Sequence, residues 1–403
     1  YAIKKSPHLS KLYAIPGNYG IGQIANCHKL DINDFHKLYE FTIEHNIELI
    51  VVGPEVPLVN GIVDFFLDKN IKIFGPNKAA AQLEGSKSFV KDLCKEHNIP
   101  TADYQTFENL EDAKLYLENQ KYPLVIKADG LAAGKGVTIV TTYEDAIRDV
   151  EEIFNDKFDN KMNVVVEEFM EGDEASYFIC SDGNDFISLI SAQDHKRVGE
   201  NDTGPNTGGM GAYSPAPIFD EVVKKQVDEE IIRPTLNAMK KNGMPFKGIL
   251  YAGLMIKKQK AKLVEYNIRF GDPECQVLML RIKSDIIELM LSSINENIKS
   301  YKDDWYKTSC ATVVMSTKGY PGSYENGSII SNLSLIKNNE DFQIFHAATS
   351  NKDGKIIADG GRVLSITAKD KSLQLALNKI YCEIENIDWP EGYYRKDIGF
   401  KAL

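Results

Sequence analysis

The glycine-rich stretch "VIKADGLAAGKG" (125–136) limits the folds open to this chain more than any other feature. A phosphate loop of the GxxxxGK type needs an initial glycine, a Ser or Thr after its lysine, and a helix behind it. Asp129 and Gly136 stand at the first and last of those positions, so the pattern fails twice. The following "VTIVTT" (137–142) is rich in β-branched residues, which favour a strand. The sequence therefore predicts a strand, a glycine-rich loop and a second strand.

Such a loop can fold over a polyphosphate as a flap. Gly130, Gly134 and Gly136 carry no Cβ, so their backbone amides can approach anionic oxygens closely. Lys127 and Lys135 add positive charge. An ordinary hairpin loop with two solvated lysines is the alternative interpretation, and the rest of the chain must decide between them.

Bulk properties narrow the class of protein. A chain of 403 residues is expected to form two to four domains. Its net charge of −11 argues against a general nucleic-acid binder. The longest nearly apolar run, "GILYAGLMI" (248–256), is too short for a membrane span, and the first residues show no signal-peptide pattern. Six scattered cysteines without a CxxC pair suggest neither a zinc site nor a disulfide framework. We therefore expect a cytoplasmic protein that binds neither membrane nor nucleic acid.

Three blocks follow one another along the chain. The first alternates strands with helices predicted over 31–46 and 60–70, which indicates a parallel sheet. The second contains two pairs of apolar strands joined by "DGND" and "KKQK", as expected of an α+β ligand-binding module. The third, after about residue 300, has further strands and a helix predicted over 372–387.

The stretch "LVEYNIRFGDPE" (263–274) carries a candidate metal site. Alternation along a strand places Glu265, Asn267 and Arg269 on one face. Carboxylate and amide oxygens suit Mg²⁺, and the guanidinium can clamp a carboxylate or phosphoryl group. A solvent-facing polar strand with an ion pair is the alternative.

Two other stretches could hold parts of a ligand. "VVVEEFMEGDEASY" (164–177) ends a strand with residues able to bond and cover a planar base, although two acids after a strand are often only solvated. The loop "QDHKRVGENDTGPNTGGMGAYSPAP" (193–217) is long and aperiodic, which is typical of a functional or a disordered segment. His195 within it could act as a general base, but a structural or orienting role is favoured.

With these residues in hand, the chain resembles the ATP-grasp ligases and, among them, the phosphoribosylamine–glycine ligase family. The resemblance covers essentially the whole chain. The motifs that carry it are "YAIPGN", "GPEVPL", "GSKSFVKD", "IPTADY", "VIKADGLAAGKGV", "VEEFMEGDEAS", "DHKRVGENDTGPNTGGMGAYSPAP", "EYNIRFGDPECQ", "GYPGSYENG" and "YYRKDIGF".

The resemblance implies both a fold and a reaction. It implies an ATP-grasp fold at 86–300 with a flap subdomain at about 100–170, after a Rossmann-like parallel-sheet domain at 1–85 and before a small mixed β/α domain at 301–403. ATP would phosphorylate glycine, and 5-phosphoribosylamine would displace the phosphate to form an amide. Mg²⁺ or Mn²⁺ would assist, and a monomer or weak homodimer is expected.

The resemblance also assigns roles to individual residues. ATP would contact Lys127, Gly134, Lys135, Gly136, Glu167, Glu168, Phe169, Met170 and Glu174. The metal would be held by Glu265 and Asn267. The catalytic residues would be Arg269, Lys196 and Arg197. The other substrates would contact Gly17, Asn18, Glu55, Asp194, Gly209, Gly271 and Asp272.

Two departures from the family pattern accompany these assignments. Members of the family begin with a strand and a "GSGGREH"-like loop that helps to bind phosphoribosylamine, whereas this sequence opens at Tyr1. Within the sequence, that pocket is expected to use the "PGN" (16–18) and "GPEVPL" (53–58) edges. Ile268 and Cys275 replace the expected Ala and Thr, but neither lies on the metal-ligand face.

Three alternatives remain open. Another ATP-grasp ligase or carboxylase of purine metabolism would share the flap and the metal strand, but the 193–217 loop favours the glycine ligase. A Rossmann-type dehydrogenase is disfavoured because no GxGxxG opens a helix. A module that binds nucleotide without turnover is disfavoured by the intact Glu265, Asn267 and Arg269.

Overall fold

The computed structural model describes residues 1–131, 136–155 and 162–403. Its N-terminal block alternates short strands and helices, as the sequence predicts. The strands are β1 (Tyr13–Ala14), β2 (Asn26–Cys27), β3 (Leu49–Val51) and β4 (Lys72–Phe74). The helices are α1 (Tyr19–Gly22), α2 (Phe35–Glu44), α3 (Glu55–Asn60), α4 (Ile62–Leu67) and α5 (Gln82–Gly85).

Parallel pairing confirms the predicted α/β character of this block. β1 pairs with β2 and β3 with β4, each in parallel. Asp34 caps α2 by accepting a hydrogen bond from the Lys37 amide at 3.1 Å. The helix predicted over 60–70 begins only at Ile62, because Gly61 adopts a left-handed φ of 93° and separates α4 from α3.

The glycine-rich stretch belongs to a small antiparallel sheet. Its strands are β5 (Tyr104–Phe107), β6 (Leu124–Ala128), β7 (Val137–Val140) and β8 (Val164–Glu168), in the order β5-β8-β6-β7. The accompanying helices are α6 (Lys87–Glu96), α7 (Leu110–Leu117) and α8 (Tyr143–Phe154). β6 and β7 pair antiparallel, so the predicted strand, loop and strand are confirmed.

The remainder of the middle block supplies long strands. They are β9 (Asp173–Asp182), β10 (Phe186–Asp194), β11 (Arg197–Gly199), β12 (Thr203–Asn206), β13 (Gly211–Ser214), β14 (Lys247–Lys257) and β15 (Lys260–Asn267). The helices are α9 (Glu221–Gln226), α10 (Arg233–Lys241), α11 (Glu274–Arg281) and α12 (Ile286–Ile294), with a π-helical turn at Val227–Ile232 between α9 and α10. Both predicted strand pairs, β9 with β10 and β14 with β15, are antiparallel.

The C-terminal block combines antiparallel strands of two sheets with one long helix. Its strands are β16 (Ser309–Thr317), β17 (Ile329–Ile330), β18 (Phe342–His346), β19 (Thr349–Lys352), β20 (Lys355–Ala358), β21 (Arg362–Asp370) and β22 (Gly392–Tyr393). The helix is α13 (Leu373–Ile384), and a 3₁₀ turn at Phe400–Ala402 follows. α13 covers the sheet with buried residues such as Leu377 and Ile380.

One sheet of the described chain joins the middle and C-terminal blocks. It has nine strands in the order β15-β14-β9-β10-β13-β16-β21-β18, with β22 beside β16. The link is the antiparallel pair of β13 with β16, which aligns Gly211 with Val313. The C-terminal block is therefore continuous with the sheet that carries the predicted metal strand β15, and its backbone lies beside the 193–217 loop.

All six cysteines lie in the described ranges, and none forms a disulfide. None of the described helices combines the length and apolar composition that a membrane crossing requires.

Candidate active site

A cleft of about 520 Å³ opens where the three blocks meet. Its walls come from α6, the β6–β7 hairpin, β15, the 193–217 loop and the edge of the N-terminal block. The cleft brings together many of the residues selected from the sequence. Those lining it are Glu55, Lys127, Gly136, Glu167, Asp194, Lys196, Glu265, Asn267, Arg269, Gly271 and Asp272.

A buried charge triad lies at the flap side of the cleft. Glu167 is 2% exposed; Lys127 Nζ lies 2.8 Å from its Oε1 and Lys91 Nζ 2.9 Å from its Oε2. Lys91 Nζ also donates to Thr101 Oγ1 at 2.9 Å. Burial lowers the pKa of Lys91, and Glu167 opposes that shift. One carboxylate thus holds two ammonium groups at the wall of the cleft.

The beginning of the glycine-rich loop is anchored on α6. Asp129 Oδ1 accepts hydrogen bonds from the amides of Lys87 at 2.6 Å and Ser88 at 3.2 Å, at the helix N-terminus. Lys87 Nζ donates to the carbonyl of Gly130 at 2.8 Å. Gly134 and Lys135 lie outside the described residues. The start of the loop is therefore fixed to α6 through Asp129, and Lys87 joins Lys91 and Lys127 as a third lysine at this wall.

The predicted metal strand contains a bulge. Gly253 of β14 is opposite Glu265, whereas the next residue, Leu254, is opposite Leu263, so Val264 is the extra residue. Its carbonyl accepts from Lys127 Nζ at 3.3 Å. The bulge therefore ties the strand that carries Glu265 to Lys127.

Glu265 and Asn267 both line the cleft, as the alternation predicts. Among the described residues, no side chain donates a hydrogen bond to Glu265, and the only side-chain donor near Asn267 Oδ1 is the Arg269 Nη2 at 3.4 Å. Their oxygens are therefore available as ligands for a hard cation.

Arg269 is already largely engaged. Its Nε donates to Glu55 at 2.9 Å, its Nη2 to Glu84 at 2.9 Å, and its Nη1 to the carbonyl of Phe270 at 3.1 Å. Burial raises the pKa of Glu84 to about 7, although Arg269 opposes the shift. The guanidinium thus connects the metal strand to two carboxylates of the N-terminal block, so a large part of its donor capacity is internal.

Lys196 lies between two carboxylates. Its Nζ donates to Glu174 at 2.6 Å and to Asp194 at 3.2 Å. Burial raises the pKa of Asp194 above its ordinary value, with Lys196 opposing. Glu174 is thus occupied by Lys196, and its ribose contact stays a prediction.

The C-terminal block contributes Arg362 to the cleft wall. Its Nη1 donates to the carbonyls of Gly208 at 2.6 Å and Asp272 at 2.7 Å, and its Nη2 to Asp272 Oδ2 at 3.1 Å. Gly209, at a φ of 110°, packs against Pro273, where a Cβ would lie 2.4 Å from Cδ. Arg362 thereby fixes the glycines of the long loop against the "GDPE" turn.

Other selected residues lie away from the described cleft lining. Arg197 donates to the carbonyl of Gly204 at 2.7 Å, and Glu168 pairs with Lys262 at 2.7 Å. Phe169 is 37% exposed. Asn18 caps α1 and donates to the His346 carbonyl at 2.6 Å. Gly17 and Met170 are also absent from the lining, so the substrate roles of this group stay predictions.

The charge balance of the cleft fits a divalent cation. Among the described lining residues, six cationic side chains face seven carboxylates. An incoming triphosphate would add negative charge to a lining that already has one carboxylate more than it has cations, which favours the binding of a further cation. Glu265 and Asn267 offer oxygen ligands where that cation would be placed.

Sequence reasoning did not select several of these residues: Glu84, Lys87, Lys91, Glu274 and Arg362. A local signal existed for the lysines, since Lys87 and Lys91 stand four apart on one face of α6. Lys91 lies between the core residues Val90 and Leu93, and a lysine at such a position is a candidate buried charge.

Comparison with known proteins agrees with this geometry. Family profiles described as phosphoribosylglycinamide synthetase match the N domain over residues 1–84, the ATP-grasp (A) domain over 85–275 and the C domain over 310–401. A phosphoribosylamine–glycine ligase of Mesorhizobium japonicum is 49% identical over 404 residues, spanning 100% of this chain and 95% of the relative.

Solved structures show the same architecture. The phosphoribosylamine–glycine ligase of Thermotoga maritima, 30% identical, superposes with a TM-score of 0.82 over 98% of this chain and 96% of its own. A biotin carboxylase of Campylobacter jejuni, 15% identical, has a TM-score of 0.72 over 97% of this chain and 89% of its own, a likeness of fold alone. Three profiles that together span most of the chain, and a near-full-length relative at 49% identity, show that the chain belongs to the phosphoribosylglycinamide synthetase family, whose central domain is an ATP-grasp domain.

Proposed function

We propose that this protein joins glycine to 5-phosphoribosylamine at the expense of ATP, giving glycinamide ribonucleotide, ADP and phosphate in purine biosynthesis. The observation that carries the proposal is the meeting, in one cleft, of the Lys91–Glu167–Lys127 triad with Glu265 and Asn267. The relatives named phosphoribosylamine–glycine ligase support the choice of substrates.

The first step activates the glycine carboxylate. A carboxylate oxygen attacks the γ-phosphorus of ATP, the bond to the β,γ-bridging oxygen breaks, and ADP leaves with that electron pair. Lys127 and Lys91, which line the cleft, are assigned to the phosphates, where they would stabilise the charge that builds on them. Glu167 holds both ammonium groups in place before ATP arrives, so little reorganisation is required.

The second step forms the amide. The amine nitrogen of phosphoribosylamine attacks the carbonyl carbon of glycyl phosphate, the carbon–oxygen bond to phosphate breaks, and the nitrogen loses a proton. Lys196, which also lines the cleft, is assigned to the glycine carboxylate and the acyl phosphate. The flap residues are assigned to exclude water, which would otherwise hydrolyse that intermediate.

Glu265 and Asn267 are assigned as the protein ligands of Mg²⁺ or Mn²⁺. When bound, such an ion neutralises phosphate charge and polarises the phosphoryl oxygens. Arg269 is assigned to position this strand, because it bonds Asn267 on one side and Glu55 and Glu84 on the other.

The adenosine part of ATP and the two other substrates are assigned to the remaining residues selected from the sequence. The segment Glu167–Met170, with Glu174, is proposed for the adenine and ribose. Glu55, Gly271 and Asp272 line the remaining wall, and together with Arg197, Gly209 and the Gly17–Asn18 edge they are proposed for the glycine and phosphoribosylamine portions. We further propose that the protein works in the cytoplasm as a monomer or weak homodimer.

Phosphate release measured with each substrate omitted in turn tests the proposal. We expect turnover only with ATP, glycine, phosphoribosylamine and a divalent cation together, and loss of at least about 10²-fold in kcat for Glu265→Ala. Glu288→Ala, an exposed acid on α12, is the matched control. Turnover with bicarbonate in place of glycine would instead assign the protein to the carboxylase branch.

A further inference from the structure

The terminal motif "YYRKDIGF" has no part in the chemistry described above, yet it contains the most deeply buried arginine of the described chain. Arg395 is 0% exposed. Its Nε and Nη2 donate to the two oxygens of Asp397 at 2.8 Å, and its Nη1 to Asp202 Oδ1 at 2.8 Å. A buried guanidinium is costly unless its donors are satisfied, and here they are satisfied in a forked pattern that a lysine cannot reproduce.

Arg395 also holds the main chain of the active-site loop. Its Nη1 donates to the carbonyl of Arg197, the residue directly after Lys196, at 2.9 Å. The Lys196 carbonyl in turn accepts from the Thr207 amide at 2.7 Å and from Thr207 Oγ1 at 2.8 Å. Movement at Arg197 is therefore transmitted to Lys196 and Thr207, both of which line the cleft.

His195 makes a second link between the same two segments. Its Nε2 accepts a hydrogen bond from the Gly399 amide at 2.9 Å, so the ring hydrogen is on Nδ1, which lies 3.4 Å from Asp202 Oδ1. Both ring nitrogens are thereby used, which gives His195 the orienting role favoured from the sequence rather than that of a general base.

Further contacts extend the same junction. The Tyr393 hydroxyl donates to the Val198 carbonyl at 3.0 Å, the Asn201 amide donates to Asp397 Oδ2 at 2.7 Å, and Lys401 pairs with Asp202 at 2.8 Å. Residues 393–401, which we call the C-terminal clasp, thus grip the β11–β12 hairpin at several points.

We propose that the C-terminal clasp is a positioning element of the active site, with Arg395 as its main residue, and that it sets the placement of Lys196 and Thr207 toward the glycine portion of the substrates. The inference rests on the proposed function for the identity of that substrate. It predicts that loosening the clasp impairs the use of glycine, whereas the ATP phosphate contacts proposed for Lys91 and Lys127, neither of which bonds the clasp, are unaffected.

Arg395→Lys tests the proposal, because it keeps the charge but loses the fork. We expect the KM for glycine to rise and kcat to fall, so that kcat/KM for glycine decreases about 10- to 100-fold, while the KM for ATP stays within twofold. Amide hydrogen exchange in residues 195–208 should increase, with no change in 87–96. Lys396→Ala, which alters the neighbouring exposed side chain, is the matched control.

A second variant guards against general misfolding. Arg395→Ala should be impaired in the same way, and millimolar guanidinium should restore part of its glycine-dependent rate by filling the vacated site between Asp202 and Asp397. Unchanged exchange in 195–208, or an equal loss for ATP and glycine, would overturn the proposal. The proposed function and the clasp are tested separately, because hydrogen exchange requires no turnover. If the wild-type protein were inactive, the proposed function would be refuted, but the exchange in residues 195–208 would still show whether the clasp holds the loop.

Discussion

Replacement of Lys91 by Met distinguishes two roles for this lysine: a structural partner of Glu167 and a cation that binds the ligand. Lys91 is 2% exposed and lies 2.9 Å from Glu167 Oε2. Breaking a buried pair costs about 3–5 kcal/mol, and the low end of that range is expected, since Lys127 remains 2.8 Å from the other oxygen. Lys91→Met should therefore lower the free energy of unfolding by about 3 kcal/mol.

Lys91→Met should also weaken ATP binding, because the charge-assisted hydrogen bond from Lys91 to the phosphates is lost. Such a bond contributes about 2 kcal/mol, which corresponds to a roughly 30-fold rise in the Kd for ATP. ATP at about 100 times the wild-type Kd stabilises the wild-type protein by about 2.7 kcal/mol, and it should stabilise Lys91→Met by only about 0.9 kcal/mol. Urea unfolding with and without Mg-ATP measures both quantities.

A control and a contradictory outcome complete that experiment. Lys95→Met removes an exposed lysine from the same helix and should match the wild type in both measurements. If Lys91→Met is destabilised but keeps the full gain from ATP, Lys91 serves only as a structural partner of Glu167, and the phosphate role assigned to it is wrong.

Two further predictions concern the loop glycines and the contact between the terminal blocks. Gly209→Ala should lose activity and at least about 1 kcal/mol of stability, because its Cβ would lie 2.4 Å from Pro273. Gly243 also has a left-handed φ but has open space around it, so Gly243→Ala should lose clearly less stability. Equal losses in the two variants would contradict the clash with Pro273. Burial lowers the pKa of His346 to about 4, whereas the unfolded chain takes up this proton at about pH 6.5. The free energy of unfolding should therefore decrease as the pH drops from about 6.5 toward 4, by at most about 3 kcal/mol. Urea midpoints of His346→Gln should show a weaker decline over that range, and an unchanged decline would refute this cause.

Local patterns in the sequence were sufficient for the elements that carry the chemistry. The β-branched run after Gly136 distinguished a unit of strand, loop and strand from a GxxxxGK loop that opens a helix, and β6 and β7 pair as that unit requires. Strand alternation likewise placed Glu265 and Asn267 on the face that lines the cleft. Both inferences depend only on neighbouring residues, which is why a single sequence can support them.

Features that depend on distant partners were not accessible in this way. The strand pattern around Arg269 did not reveal its bonds to Glu55 and Glu84, which are more than 180 residues away. The Val264 bulge depends on register with β14. The position of Lys91 between core residues suggests a buried charge, but its partner Glu167 is brought beside it only by the sheet. These contacts arise from tertiary packing, so periodicity carries no record of them.

A crystal structure with Mg²⁺ and a non-hydrolysable ATP analogue tests the assignment of the cleft most directly. We expect the ion to be ligated by the Glu265 carboxylate and the Asn267 amide oxygen, with the triphosphate lying beside Lys91 and Lys127. A triphosphate bound away from both Glu265 and Lys127 would contradict the proposed site.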